Sequence, residues 1–230
     1  MSSLQRIGIM AEMHGRDLTR RHVALALLVA LPLSFYLASR GSGDNAVVAG
    51  GVGMAFAVSG ATLFSILSSS EVDQRLVLGG YRPIELLLGR VLFLAPLGSV
   101  IALGFTGLMV LGSDPARPLL TLLGVEAVAL LSIPLGLAVG AIAPRELEGT
   151  LILIGLVGLQ MAVAPDSDLS AVLPLHGPQE LISSSLSDTG PILEPLLLTA
   201  AWGLALLVVA RVAVSRRVAV TRHAPRGSTP

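Results

Sequence analysis

Six long apolar runs constrain the fold of this chain more than any other feature of its sequence. At a rise of about 1.5 Å per residue, a helix of about 20 apolar residues crosses a hydrocarbon core about 30 Å thick. Charged residues make up 13% of the chain, about half of their share in a typical soluble domain. The sequence therefore predicts an all-α membrane protein with six transmembrane helices. Their predicted ranges are about 23–39, 46–67, 91–112, 119–143, 150–164 and 193–214.

The six runs predict one transmembrane domain, residues 23–214, with a short segment on either side of it. In the first segment, residues 1–22, apolar side chains recur at roughly helical spacing between charged ones. These apolar residues are Leu4, Ile7, Ala11 and Leu18. The pattern predicts a cytoplasmic amphipathic helix in the membrane interface, and a solvated helix is the alternative. The last segment, residues 215–230, is first basic and then polar, which predicts a disordered cytoplasmic tail.

Arginine supplies all 15 basic side chains, and its distribution predicts the orientation of the chain. With six spans, thirteen arginines fall on one side of the membrane, and only Arg40 and Arg117 fall on the other. Basic residues accumulate in cytoplasmic segments, so both termini are predicted to be cytoplasmic. We also expect this multi-pass chain to lie in the plasma membrane. The thirteen are Arg6, Arg16, Arg20, Arg21, Arg75, Arg82, Arg90, Arg145, Arg211, Arg216, Arg217, Arg222 and Arg226.

The connection between the second and third runs, residues 68–90, is charged and contains a turn signal. Ser70 and Asp73 have the spacing of a helix-capping box, and Glu71 adds a second acidic residue to the first turn, where the helix dipole favours it. The Gly79-Gly80 pair can end this helix, and Pro83 suits the first turn of the next one. We therefore predict a short cytoplasmic helix, a tight turn and a helix that enters the membrane. An ordinary connector between two spans is the alternative.

Several kinds of chemistry are excluded by residue type alone. The chain contains no lysine, so it cannot form a Walker-A loop, whose lysine contacts the β- and γ-phosphates of ATP. It contains no cysteine, no HExxH sequence, and no histidine or aspartate well inside an apolar run. We therefore predict no catalytic, cofactor or metal site in this chain, and no nucleic-acid partner.

Small residues recur every four positions in the second and fourth runs. Such ridges let neighbouring helices approach closely, so we interpret them as packing surfaces rather than as substrate contacts. The ridge residues are Ala49, Gly53, Ala57, Ala61 and Ser65 in the second run, and Ser132, Gly136 and Gly140 in the fourth.

Two polar side chains lie inside apolar runs: Glu126 in the fourth and Gln160 in the fifth. A carboxylate within a bilayer is costly, so Glu126 should have a partner and face either the protein interior or a watery cavity. Both residues are candidates for a substrate path. A packing role for Glu126 is the alternative, and we leave the two open. The long outer loop, residues 165–192, mixes polar caps with apolar patches and predicts short helices that dip into the outer interface.

The sequence RPIELLLGRVL, residues 82–92, resembles the segment that follows the second helix in type-2 ATP-binding-cassette permeases. The residues that fall into that pattern are Glu71, Leu76, Leu78, Arg82, Glu85, Leu87, Leu88, Gly89 and Arg90. LGLAVGAIAPRELEGTLIL, residues 135–153, is similar to the family's small-residue helix, charged turn and next helix. One departure is the stretch Gln160–Pro165, which replaces the apolar Gly-Phe-Phe-Pro-like sequence common after the fifth helix.

The resemblance implies a six-helix permease subunit that pairs with a second copy or a paralogue. It would bind separate ATPase subunits, which hold ATP and Mg, and would export an amphipathic, drug-like or lipid-like substrate. The residues implied to couple it to the ATPase are Glu71, Asp73, Arg75, Tyr81, Arg82 and Glu85. A membrane subunit of a haem-export or cytochrome-maturation system is one alternative. A stand-alone channel, carrier or membrane scaffold is another.

Overall fold

The computed structural model describes residues 3–20, 22–42, 45–163 and 167–223. These residues form ten α-helices and one short 3₁₀ turn, Arg40–Ser42, and they contain no strand. The predicted all-α class is therefore confirmed for the described part of the chain. The helices are α1 Ser3–Arg20, α2 His22–Ala38, α3 Asn45–Ser68, α4 Ser70–Leu78, α5 Pro83–Ser113, α6 Pro118–Ile142, α7 Glu146–Ala162, α8 Asp168–Ala171, α9 His176–Ser185 and α10 Leu193–His223.

Four described helices are long and apolar enough to cross a membrane: α3, α5, α6 and the Leu193–Arg216 part of α10. They match the second, third, fourth and sixth predicted spans. The helices at the first and fifth predicted spans, α2 and α7, have 17 residues each. The chain is thus a membrane protein with four candidate spans by length and composition, and six spans remain a prediction.

Two helices extend beyond the predicted spans. α5 begins at Pro83, because proline suits the first turn and the Glu85 carboxylate accepts a hydrogen bond from the backbone N–H of Arg82 (2.9 Å). α10 continues past residue 214 to His223, so the first part of the predicted disordered tail is helical. The stretch from Ser215 to His223 has no glycine or proline to end the helix. The rest of that tail lies outside the described residues.

α6 is the central helix of the bundle and packs against α3, α5, α9 and α10. In an apolar stretch of 18 residues within α6, 78% is buried in the protein, whereas the corresponding stretch of α10 is 11% buried. The glycines of α6 explain its close contact with α3. A Cβ added at Gly136 would overlap the carbonyl oxygen of Ser59, and one at Gly140 would overlap the Ile66 side chain.

The predicted ridge on α3 packs on a different neighbour. A Cβ added at Gly53 would lie 2.7 Å from the Cα of Pro32 in α2. Ala57 is buried, and Ala61 is half-buried one turn further along. α3 therefore lies between α2 and α6, with small residues allowing close approach on each side.

The helix α9 in the outer loop is packed more deeply than an interfacial helix would be. It lies against α3, α6 and α10 and buries Leu181 and Ile182 completely. The Oγ1 of Thr121 in α6 donates a hydrogen bond to the Oγ of Ser185 (2.9 Å), and both side chains are fully buried. α9 is therefore part of the helix bundle, at the end opposite to α4.

Candidate functional site

The short helix α4 and the turn that follows it form the candidate functional site. The residue that precedes the helix is Ser69, and its side chain makes no capping bond. Ser70 is thus the first residue of the helix and not its cap, and the Asp73 carboxylate turns toward α5. The predicted capping box between Ser70 and Asp73 is therefore wrong. The chain reverses after Leu78 at Gly80, whose φ of 92° is one that glycine adopts without strain.

A buried ion pair joins α4 to α5. The Arg90 Nη2 lies 2.6 Å from the Asp73 Oδ2 and also donates a hydrogen bond to the Ser69 hydroxyl. The Arg90 side chain is 1% exposed and that of Asp73 is 14% exposed. Burial raises the pKa of the Asp73 carboxyl, and the Arg90 guanidinium acts against this by lowering it. The two charges are thus largely removed from water, and each depends on the other.

The first helix is held against the α4–α5 turn through Arg6. Its Nη1 donates a hydrogen bond to the carbonyl oxygen of Gly80 (2.7 Å) and lies 3.6 Å from the Glu85 Oε2. The guanidinium also lies 5.3 Å from the centre of the Tyr81 ring, a cation–π contact. Arg6 therefore contacts the turn at Gly80 and the side chains of Tyr81, before α5, and Glu85, in its first turn.

Apolar packing completes the contact between α1, α4 and α5. Met10 is 1% exposed and forms a small cluster with Val77 and Leu86. The absence of a side chain at Gly89 allows this, because a Cβ there would lie 2.5 Å from the Cβ of Met10. The buried side of α1 is therefore centred on Met10, whereas Leu4 of the predicted apolar face is 81% exposed. Part of the apolar side of α1 therefore packs on α4 and α5, and its position in the membrane interface stays a prediction.

The outer face of α4 is exposed and chemically mixed. Leu78 is 74% exposed and Val72 is 44% exposed. The charged side chains of Glu71 and Arg75 in α4, and of Arg82 after the turn, are exposed as well. The six predicted coupling residues thus divide into two groups. Three of them face outward, and the other three, Asp73, Tyr81 and Glu85, hold α4 and the turn in place.

Sequence reasoning missed two residues of this site, Arg6 and Arg90, as functional side chains. Arg90 is part of the family-like pattern, and its position within a leucine-rich segment is the signal that it needs a buried anion. Arg6 gives no such signal, because its contacts lie on a distant part of the chain.

The two candidates for a substrate path lie away from this site. The Glu126 carboxylate accepts a hydrogen bond from the Ser99 hydroxyl of α5. It is half-buried, on the same side of α6 as the exposed residues Leu123 and Leu130. Gln160 is 5% exposed on the buried side of α7, and its Oε1 has no hydrogen-bond partner among the described residues. No hydrogen bond therefore joins Glu126 to the Oε1 of Gln160 in the described residues.

The Ser99–Glu126 pair gives a prediction that separates the hydrogen bond of Glu126 from its negative charge as the source of stability. We expect Glu126→Gln to keep the fold, because the amide oxygen can accept the same hydrogen bond. Ser99→Ala removes the donor from a carboxylate in apolar surroundings and should lower the unfolding free energy by about 1–3 kcal/mol. Thermal unfolding in detergent compares the two variants. If Glu126→Gln destabilises the protein as much as Ser99→Ala does, the negative charge itself is required.

No group of three or more histidine, aspartate or glutamate side chains that could hold a metal ion is present in the described residues. No protein-family model matches the chain, and no curated protein sequence matches it significantly.

Proposed function

We propose that this chain is the membrane-spanning subunit of an ATP-binding-cassette exporter and resembles type-2 permeases. ATPase subunits on separate chains would drive it and would bind ATP and Mg, because this chain has no lysine for a Walker-A loop. The substrate class we propose is amphipathic, drug-like or lipid-like. A second copy of the chain or a paralogue would complete the membrane part of the transporter.

The main support for the proposal is that α4 has an exposed outer face while its contacts with α1 and α5 hold it in place. An exposed leucine surrounded by charged side chains is typical of a protein–protein contact, with an apolar centre and a polar rim. Leu78 would be the centre, and Glu71, Arg75 and Arg82 would form the rim. A helix of nine residues would not keep this geometry alone, so its contacts with α1 and α5 fix the surface that a partner meets.

The buried ion pair gives the surface a mechanical role. A force on α4 passes through Asp73 to Arg90, which lies in the first turns of α5. α5 is 31 residues long and is a candidate membrane span. Closure of two ATPase subunits would thus move α4 and tilt α5 as a rigid body, which is a common form of switching between two states.

The proposed topology has six spans with both termini in the cytoplasm of the plasma membrane. The support for it is the distribution of arginine, of which thirteen residues fall on the side of α1 and α4. α2 and α7 would be the two shorter spans. Within the described residues, Leu25–Ala38 of α2 is an apolar stretch below the length of a full span.

A test of the proposal is to replace Leu78 by glutamate in the complex with its ATPase, the product expected from a neighbouring reading frame. We expect ATPase binding to weaken about 30-fold, because a central apolar residue of an interface contributes about 2 kcal/mol. Co-purification and ATPase activity measure the effect.

A matched control is Leu169→Glu, which introduces the same charge in α8, a helix that packs on α9. Leu169 is 55% exposed, so the substitution should leave ATPase binding unchanged. A channel, carrier or scaffold would purify without any ATPase. In that case Leu78→Glu would have no effect on activity, and the proposal would be wrong.

A further inference from the structure

A carboxylate lies inside the candidate span α6, away from the ends of the helix. In α5 and α10 the acidic residue is in the first turn, whereas Glu126 is four positions from Leu130, the middle of the 25-residue α6. Four positions correspond to a rise of about 6 Å, so Glu126 lies within the hydrocarbon core if α6 crosses the bilayer. A carboxylate at that depth is costly without a partner, and such residues commonly mark functional sites.

One oxygen of the Glu126 carboxylate has a partner in the described protein, and the other does not. The Ser99 hydroxyl of α5 donates a hydrogen bond to Oε1. The ion pairs of the described residues involve other carboxylates. Oε2 is not enclosed either, because the enclosed oxygens without a partner belong to Asp73, Thr106 and Gln160. The Oε2 atom is therefore open to the outside of the bundle and can meet a cation.

The residues one helical turn away from this contact are exposed leucines. On α6, Leu123 and Leu130 lie one turn before and after Glu126 and are 37% and 43% exposed. On α5, Leu103 follows Ser99 by one turn and is 61% exposed. In a membrane protein, such a surface meets the acyl chains of the bilayer. A ligand that reaches the carboxylate from the bilayer therefore needs an apolar body.

The charge pattern of the chain selects a cation as the ligand. The segments at the predicted outer end contain seven acidic residues and two arginines, and a field of that sign concentrates cations and repels anions. Glu126 itself has no basic partner among the described residues. The acidic residues of the outer end are Asp44, Asp114, Asp166, Asp168, Glu180, Asp188 and Glu194, and the arginines are Arg40 and Arg117.

We propose that the surface around Glu126 binds a lipophilic organic cation that arrives from the bilayer. The cationic centre lies on the Glu126 carboxylate, which the Ser99 hydroxyl holds in place, and the apolar body lies on the neighbouring leucines. This narrows the substrate class of the exporter from amphipathic molecules to cationic ones. The role of the ligand as an exported substrate rests on the proposed function, whereas the binding itself does not.

The experiment measures the binding of radiolabelled tetraphenylphosphonium, a lipophilic cation, to the full chain in phosphatidylcholine nanodiscs without an ATPase. Empty nanodiscs give the uptake by lipid alone. We expect saturable binding to the wild-type protein, and no saturable binding of tetraphenylborate, an anion of the same shape. Glu126→Gln should weaken the binding of the cation at least about tenfold, because it removes the charge and keeps the size of the side chain.

The matched control is Glu194→Gln, which removes an exposed carboxylate at the outer end of the bundle. It should weaken binding less than about twofold, because solvent and salt screen an exposed charge. Equal losses in the two variants would assign the affinity to the overall charge of the outer end, and the site at Glu126 would be wrong. Displacement of the probe by millimolar sodium would reveal a site for small cations and would also overturn the proposal.

A measurement on the wild type decides if Glu126→Gln does not fold. Dicyclohexylcarbodiimide, an apolar reagent, forms an acylurea with carboxyl groups that it reaches from the hydrocarbon. We expect tetraphenylphosphonium, but not tetraphenylborate, to protect Glu126 from this modification, as read by mass spectrometry of the digested chain. A Glu126 that stays unmodified, or that the cation fails to protect, would contradict the proposal.

The same probe separates this inference from the proposed function. If the wild type binds tetraphenylphosphonium but the cation does not stimulate ATPase activity of the whole complex, the site stands and the exporter role is contradicted. If the wild type shows no saturable binding, the site is wrong, whether or not an ATPase binds to α4.

Discussion

Replacing Asp73 by alanine is expected to lower the unfolding free energy by about 3 kcal/mol, because it leaves the buried charge of Arg90 without its counterion. Arg90 is 1% exposed, and Asp73 is its ion-pair partner at 2.6 Å. The remaining contact of the guanidinium is the hydroxyl of Ser69, which carries no charge. Unfolding of the purified protein in mild detergent measures the loss.

A surface ion pair of the same length provides the control. Arg16 and Glu12 are also 2.6 Å apart, but their side chains are 75% and 61% exposed. Glu12→Ala should therefore change the unfolding free energy by less than about 0.5 kcal/mol. If Asp73→Ala and Glu12→Ala lower the unfolding free energy equally, burial does not increase the contribution of the Asp73–Arg90 pair to stability.

A double substitution distinguishes an unpaired charge from lost packing. Asp73→Leu together with Arg90→Met removes both charges and keeps apolar volume at the contact. We expect this variant to recover most of the stability, because apolar replacement of a whole buried pair is often neutral or stabilising. If α4 is the proposed ATPase contact, coupling to the ATPase should nevertheless fall in the double variant, since the direct polar link between α4 and α5 is gone.

Gly136→Ala is the second substitution with a large expected effect. The added Cβ would overlap the carbonyl oxygen of Ser59 and lie 2.7 Å from the Cβ of Thr62. The first of these is a backbone atom, so α3 and α6 must move apart. Overpacking of this kind typically costs about 1–3 kcal/mol, and we expect the upper end of that range, measured as a lower unfolding free energy in detergent.

The control for this substitution is Gly104→Ala in α5. No atom outside the local helix lies within 4 Å of a Cβ built at Gly104. Alanine favours the helix by about 1 kcal/mol relative to glycine, so this variant should be neutral or slightly more stable. If Gly136→Ala also leaves the unfolding free energy unchanged, α3 does not pack closely on α6 at this glycine.

The helices were largely predictable from the sequence because their signals are local. Apolar runs of about 20 residues mark the candidate spans, and Gly80 and Pro83 mark the turn and the start of α5. The same local reasoning failed at Asp73, whose spacing from Ser70 also fits a capping box. The buried guanidinium of Arg90 decides between the two roles, because it has the greater need for an anion.

The contacts between distant segments could not be predicted from one sequence. The hydrogen bond from Arg6 to Gly80 joins residues 74 positions apart. Nothing in the local pattern of α1 distinguishes a membrane surface from a protein surface, since both accept an apolar stripe. The same holds for α9. Its apolar patches fit an interfacial helix, but Gly51 and Gly124 leave room for Ile182 inside the bundle.

The most direct test of the central claim is a crosslink from the exposed face of α4 to an ATPase. The chain has no cysteine and no lysine. A thiol-to-amine reagent attached at Leu78→Cys can therefore form a lysine crosslink only with another protein. In membranes that contain the whole complex, we expect crosslinking to an ATPase at Leu78→Cys and none at Leu169→Cys. The absence of an ATPase crosslink at Leu78→Cys, or equal crosslinking at both positions, would contradict the assignment of α4 as the ATPase contact.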